Sequence, residues 1–229
     1  MNPLYIGLDV HQKTSTFCIF NHRGEHQQTI TVKGRWPKLI ARLRRLADGQ
    51  PIVVAYEASL GYGTLYDQLT QFCQRVVVAH PGHLRLIFRA KRKNDRVDAQ
   101  KIATLLFMDQ LPQVHVPSGD VRGWRELIEL RTAMIHKRTR CKNNLRAVLR
   151  SHGVIKPIKQ GIWTKAGLAW LTHAEMPTTQ AALRRDVLID ELACLERQVK
   201  RVTDELDRMA KQHPGVALLK TVRGVGPRT

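Results

Sequence analysis

Short apolar runs alternate with helical spacing through the first third of the chain. Leu4-Tyr5-Ile6-Gly7-Leu8 is one such run, and it leads into Asp9-Val10-His11. Thr16-Phe17-Cys18-Ile19-Phe20 and Gln28-Thr29-Ile30-Thr31-Val32 predict the second and third strands, with Asn21-His22-Arg23-Gly24 as the hairpin turn between them. Leu39, Ile40, Leu43 and Leu46 then recur at helical spacing. Ile52-Val53-Val54-Ala55, preceded by Pro51, is the continuous apolar run of a strand buried on both faces of a parallel sheet. A helix carrying Leu65, Leu69 and Phe72 and a second buried strand, Arg75-Val76-Val77-Val78-Ala79, complete the pattern. Three antiparallel strands followed by alternating helix and strand predict an α/β fold with a mixed sheet.

The texture changes after residue 80. Arg85, Arg89, Lys91, Arg92, Lys93, Arg96 and Lys101 are set against only Asp95 and Asp98. Ala99 to Met108 predicts a helix, and Pro112 to Pro117 an irregular connection. Val121 to His152 is a long helical pattern rich in Arg and Lys, broken at Gly153 to Pro157. A second long helix is expected from about Thr178 to Gln212. Its apolar residues Leu188, Leu192, Leu195, Val199, Val202, Leu206 and Met209 step by 4, 3, 4, 3, 4 and 3. That heptad spacing favours a coiled-coil seam, although a helix packing on its own domain satisfies it too. Either way the two long helices are expected to pair as an antiparallel hairpin, to which a homodimer or higher oligomer can add. The chain closes on Leu218 to Thr229, similar to the hairpin of a helix-hairpin-helix element whose second helix would begin near Pro227. The expectation is that the sequence is truncated there.

Charge narrows the class of partner. Lys and Arg number 38 against 19 Asp and Glu in 229 residues, a formal net charge of +19, while 43% hydrophobic content suffices for a buried core. Such an excess repels itself unless a polyanion neutralises it, and nucleic acid is the usual one. Ribosomal or membrane-surface binding fits the charge as well. Cys18, Cys73, Cys141 and Cys194 are far apart, without the clustering a zinc site needs, and free thiols suit a reducing cytosol. No signal peptide precedes the first strand, and no run approaches the ~20 apolar residues of a membrane span. A soluble, cytoplasmic protein without a membrane partner is expected.

The chemistry centres on four carboxylates. Asp9 and Glu57 each follow an apolar run, and in open α/β sheets ligands collect beyond the carboxyl ends of the strands. If strands one and four are parallel neighbours, the two meet there. Asp95 and Asp98, three residues apart at a helix start, share one helical face. Four hard oxygen ligands suit Mg²⁺ or Mn²⁺, and a pair of such ions ~3.5–4 Å apart clamps the attacking and leaving oxygens of a phosphodiester displacement. Each residue has a structural alternative: Asp9 as a turn former, Glu57 as a solvated loop charge, Asp95 as a helix cap and Asp98 as the partner of a neighbouring Arg.

Ile6-Gly7-Leu8-Asp9-Val10-His11-Gln12-Lys13, Tyr56-Glu57-Ala58-Ser59 and Lys93-Asn94-Asp95-Arg96-Val97-Asp98-Ala99 resemble the three signature blocks of the DEDD transposases. This is the insertion sequence 110 family, which includes the Piv invertase and resembles the junction nuclease RuvC in its first domain. The resemblance is specific through about residue 110 and looser through the long helices, and Asn94 stands where the family more often has Thr.

It implies an RNase H/RuvC-like mixed sheet with helices (residues 1–112), a helical coiled-coil domain (118–213) and the start of a C-terminal transposase domain (214–229). It implies Mg²⁺ or Mn²⁺ on catalytic Asp9, Glu57, Asp95 and Asp98, DNA as substrate, dimers on DNA, and a bridge RNA that selects sites. The family's nucleophilic serine lies in a C-terminal domain beyond this sequence, so no residue here takes that role. The nucleic-acid-binding candidates are Arg89, Lys91, Arg92, Lys93, Arg96, Arg122, Arg125, Lys137, Arg138, Arg140, Lys142 and Arg146. Two rival readings remain: a truncated member that binds RNA or DNA and dimerises without recombining, and a RuvC-like junction nuclease.

Other residues carry weaker signals. His80-Pro81-Gly82-His83 is a metal pair or, more simply, a turn. His11 can touch a phosphate or sit on the rim. Tyr62 and Tyr66 can stack on a base or pack in the core. Trp124, Trp163 and Trp170 read as helix anchors, and Gly61-Tyr62-Gly63 is too short for a phosphate loop.

Overall fold

The computed structural model describes residues 2–87, 94–155 and 161–225, in two compact units that divide between Arg122 and Gly123. The first unit runs β1 (Leu4–Val10), β2 (Thr14–Phe20), β3 (His26–Lys33), α1 (Trp36–Ala47), β4 (Ile52–Glu57), α2 (Tyr62–Leu69), β5 (Arg75–Ala79), α3 (Pro81–Ile87) and α4 (Asp95–Phe107). Its sheet has the order β3-β2-β1-β4-β5; the first three strands are antiparallel, and β1, β4 and β5 are parallel. Strands one and four are the parallel neighbours that the site requires. This is the mixed sheet of an α/β, RuvC-like fold.

Alternation along the strands separates two cores. Leu4, Ile6 and Leu8 of β1 and Ile52, Val54 and Tyr56 of β4 pack with Leu39 and Leu43 of α1 and Leu65 and Leu69 of α2. On the opposite face Val53 and Ala55 meet Ile102, Leu105 and Leu106 of α4, while Cys18 and Phe20 of β2 meet Ala99 and Ala103. The β2–β3 turn closes as its sequence dictates. Asn21 Oδ1 accepts from the Arg23 and Glu25 amides at 2.9 and 3.0 Å, and Gly24 takes a left-handed φ of 79°.

Three local expectations need correction. The helix expected from Ala99 begins at Asp95, because Asn94 caps it by accepting from the Arg96 amide at 3.1 Å and two acids suit the first turn. Phe72 lies past the end of α2 at Leu69, in the turn before β5. The His80–His83 segment opens the short helix α3, where the His80 ring accepts from the His83 amide at 3.3 Å. The connection at 112–117 is irregular but pairs with the sheet edge: Gln113 bridges Ala79, and the Val114 amide donates to Val78 O at 2.9 Å.

In the second unit are α5 (Gly119–Ser151) from Gly123 onward, α6 (Lys165–His173), α7 (Thr179–Gln212) and α8 (Pro214–Leu219). The two long helices pair antiparallel. Cys141 Sγ donates to Leu188 O at 3.1 Å, Lys142 meets Glu196 at 3.3 Å, and Arg131 Nε donates to Thr203 Oγ1 at 2.9 Å. From the level of Cys141 and Lys142 down to Arg131, the α7 partners move from Leu188 and Glu196 up to Thr203. Leu188, Leu192 and Leu195 of the heptad stripe pack with Cys141, Leu145 and Leu149 of α5 and Leu171 of α6, so this stretch of the stripe serves the unit's own interior. Sequence periodicity did not reveal α6, whose nine residues are capped by Thr164, the acceptor from Gly167 N at 3.1 Å. Arg185, only 8% exposed, donates to the carbonyl of Ala174 at the end of α6 and pairs with Asp186 at 2.7 Å.

Candidate metal centre at the end of the first strand

Gly7 decides how closely α4 approaches the sheet. A Cβ built there would lie 2.3 Å from both Ala103 N and Ala99 O, a distance that no side chain tolerates against backbone. With glycine at 7 and alanine at 99 and 103, the helix backbone rests directly on β1. Asp95 lies one turn before Ala99 on the same row of the helix, and Asp9 lies one pleat beyond Gly7 on the same face of the strand. Small residues at one level thus bring two acids together at the next.

The outcome is a three-residue cluster. One ligand atom each from Asp9, His11 and Asp95 lie within 4.8 Å of one another, the only such group of three or more His, Cys, Asp or Glu found among the described residues. His11 Nε2 stands 3.4 Å from Asp9 Oδ1 and 3.9 Å from Asp95 Oδ1. Asp9 is the sheltered member, its side chain 16% exposed against 46% for Asp95 and 43% for His11. The imidazole is delivered by the β1–β2 turn, where His11 N donates to Thr14 O at 3.1 Å. Beside Asp9 in register stands buried Thr16, whose hydroxyl bonds to that of Thr31 at 3.1 Å.

Glu57 and Asp98 fall outside this tight group. Leu8 pairs with Tyr56, so Asp9 and Glu57 are the next residues along two adjacent strands, about 4.8 Å apart in the pairing direction. Pleating turns Glu57, like Val53 and Ala55, to the α4 face, where it is exposed. Asp98 precedes Ile102 by one turn, on the row that packs toward β4, and Lys101 Nζ is 3.7 Å from its carboxylate. Of the four acids, Asp9 and Asp95 meet in the tight group, while Glu57 stands at the end of the adjacent strand and Asp98 one turn farther along α4. Two carboxylates and an imidazole at these separations are a donor set that fits a divalent cation. His11 is the member that motif reading left on the rim. Its spacing from Asp9, two residues on across a strand end, was the available signal.

The basic candidates divide. Arg89, Lys91, Arg92 and Lys93 lie outside the described residues. Arg96, Arg125, Lys137, Arg140 and Arg146 are exposed, and Arg138 is half-buried. Arg122 is committed within the fold: it pairs with Asp67 of α2, donates to Pro117 O at 2.5 Å, and covers Gly63. Lys142 and Arg146 lie 5.1 and 5.2 Å from the centroid of the half-buried Trp163 ring. Tyr62 and Tyr66 pack against the core beside Tyr56, whose hydroxyl donates to Tyr62 O at 2.6 Å and is held protonated far above its ordinary range by burial. Burial pushes the Cys73 thiol up to about 12 and raises those of Cys18 and Cys141. Among the described residues no helix is long and apolar enough to cross a membrane.

Residues 6–153 match the family model described as Transposase, the DEDD transposases of insertion sequence 110. A Sinorhizobium fredii protein provisionally named as the transposase y4qE is 31% identical over 139 residues, 59% of this chain and 35% of its own length. The transposase for insertion sequence element IS1328 of Yersinia enterocolitica is 23% identical over 228 residues, 100% of this chain and 66% of its own. A Pseudomonas aeruginosa protein named as a probable family 20 transposase is 25% identical over 138 residues, 59% of this chain and 40% of its own. The chain thus spans between about a third and two thirds of the length of these relatives.

Proposed function

Because the chain belongs to the insertion sequence 110 family of DEDD transposases, we propose that its sheet unit holds divalent cations, Mg²⁺ or Mn²⁺, on Asp9, Glu57, Asp95 and Asp98 and serves the cutting and rejoining of DNA. The observation that carries this reading is the meeting of Asp9 and Asp95 across β1 and α4, residues far apart in sequence. A bound cation supplies Lewis-acid activation of the phosphodiester and of the attacking oxygen. The protein's own part is positional. Asp9 is the fixed, sheltered ligand on the sheet, and Asp95 rides on a helix whose height Gly7 sets. Glu57 and Asp98 line the β4 side of the same opening. In this reading Arg96, exposed at the start of α4, holds a DNA phosphate.

The finer parts of the reading follow from family membership and from charge. A structured bridge RNA of the element selects the target and donor sites, and the exposed Arg125, Lys137, Arg140 and Arg146 of α5 contact phosphate and shape while base pairing supplies sequence. Copies assemble on DNA through the helical unit.

The test is to incubate the chain with DNA carrying the element's ends, RNA transcribed from its flanks, and Mg²⁺ or Mn²⁺. Strand cleavage and joining that vanish with chelator and in Asp9→Asn support the reading. Products undiminished in Asp9→Asn would end it. Cleavage of bare four-way junctions without RNA would favour a junction nuclease, and metal-independent RNA or DNA binding without cleavage a binding module.

A further inference from the structure

We propose that His11 supplies an imidazole nitrogen to the bound cation, making this a mixed oxygen–nitrogen site that prefers Mn²⁺ to Mg²⁺. The inference rests on the metal-dependent reading above and assigns a ligand beyond the four carboxylates. Two atoms bound to one ion at about 2.1 Å lie about 3 Å apart when adjacent in an octahedron and about 4.2 Å apart when opposite. His11 Nε2 stands 3.4 Å from Asp9 Oδ1 and 3.9 Å from Asp95 Oδ1, inside that range for both. The same nitrogen therefore faces both carboxylates from the third corner of the opening.

Its position is fixed by backbone. The turn from β1 to β2 is closed by His11 N donating to Thr14 O at 3.1 Å, and Gly34 N donates to Lys13 O at 2.8 Å from beyond β3. His11 is thus part of a braced hairpin end, as Asp9 is part of the strand. With its side chain 43% exposed, the ring can follow an ion without disturbing a core.

The donor chemistry carries a consequence. Mg²⁺ favours a shell of oxygens, whereas imidazole nitrogen raises affinity for later divalent ions along the series in which Mn²⁺ comes first. Removing the ring should cost Mn²⁺ about tenfold in affinity and Mg²⁺ less than about threefold.

The experiment is pulsed electron paramagnetic resonance on the Mn²⁺-loaded chain, with Mn²⁺ and Mg²⁺ affinities measured in parallel. Wild type, His11→Ala and Asp9→Asn are compared, and circular dichroism checks that each is folded. The expected result is nitrogen modulation of the Mn²⁺ signal in wild type, its loss in His11→Ala, and narrowed Mn²⁺-over-Mg²⁺ discrimination. Mn²⁺ that binds through Asp9 with no nitrogen coupling, or with coupling that survives in His11→Ala, overturns the His11 assignment and leaves the carboxylate site standing. Mn²⁺ binding that is absent in wild type, or unchanged in Asp9→Asn, overturns both.

Discussion

Gly7 in the sheet unit and Gly123 in the helical unit tolerate opposite things. A Cβ on Gly7 would strike the backbone of α4 at 2.3 Å, whereas one on Gly123 would meet nothing within 4 Å. The first glycine is a spacer between two elements, and its missing atom sets where Asp95 stands relative to Asp9. The second only loosens a helix. In the sheet unit, main chain presses on main chain, so small sequence changes reach the site directly. Between the long helices of the other unit, side chains mediate the packing and can adjust. That unit has its own tight backbone approach elsewhere, at Gly167 of α6, where a Cβ would lie 2.3 Å from Gly161 O.

The largest expected effect tests whether the sheet unit holds the chemistry at all. Asp9→Asn or Asp95→Asn should reduce metal-dependent DNA cleavage by about 10²–10³-fold, measured as strand scission at saturating Mn²⁺. Exposed α5 residues should behave differently: Arg140→Ala should weaken RNA or DNA binding modestly, with a shallower salt dependence in a filter-binding titration.

Next comes Gly7→Ala. Overpacking against α4 should cost about 1–3 kcal/mol in denaturant unfolding and weaken Mn²⁺ binding together with it. A fully stable variant with unchanged metal affinity would contradict the spacer role. Gly123→Ala should stabilise by roughly 0.5–1 kcal/mol, because a mid-helix glycine loses backbone entropy that alanine does not. The paired signs sharpen the contrast more than either value alone.

The smallest effect is alkaline. Burial raises the Cys73 thiol from its ordinary 9.0 to about 12. A group whose folded pKa is raised contributes stability in full below its unfolded value and loses it as pH climbs toward the folded one. The first unit's core should therefore weaken between pH 9 and 12, seen by peptide-level hydrogen exchange, and Cys73→Ala should remove part of that slope.

Legibility in the sequence tracks this same contrast. All five strands were readable, four as apolar runs and β3 from its alternating Thr, Ile and Val between turn signals. The parallel pairing of β1 with β4 is the one that strand order predicted, with Asp9 but not Glu57 in the tight group. The apolar pattern of α4 begins only at Ala99 because its first turn, Asp95 to Asp98, is polar and held by a cap and by the helix dipole, while the spacing of the two acids already marked a helix start. His11 was underweighted because its two-residue spacing from Asp9 does not by itself say that the hairpin end turns back over the acids. The heptad stripe of α7 admitted two occupants, and for Leu188, Leu192 and Leu195 the fold supplies one in α5 and α6. Helix α6 went unread because its nine residues are too few for periodicity to register. Among the basic candidates, Arg122 is paired with Asp67 in the fold, a contact that a sequence cannot show.

The irregular segment after α4 runs beside the end of β5. Through Gln113 and Val114 it occupies hydrogen-bonding positions along β5 that would otherwise face outward as a row of open amides and carbonyls. At the other margin, β3 presents His26, Gln27, Gln28 and Lys33 to solvent. One rim is therefore covered at the C-terminal end of β5 by a strap, and the other is made unattractive to a further strand. Neither margin of the sheet then offers a long bare row of amides and carbonyls on which another strand could grow.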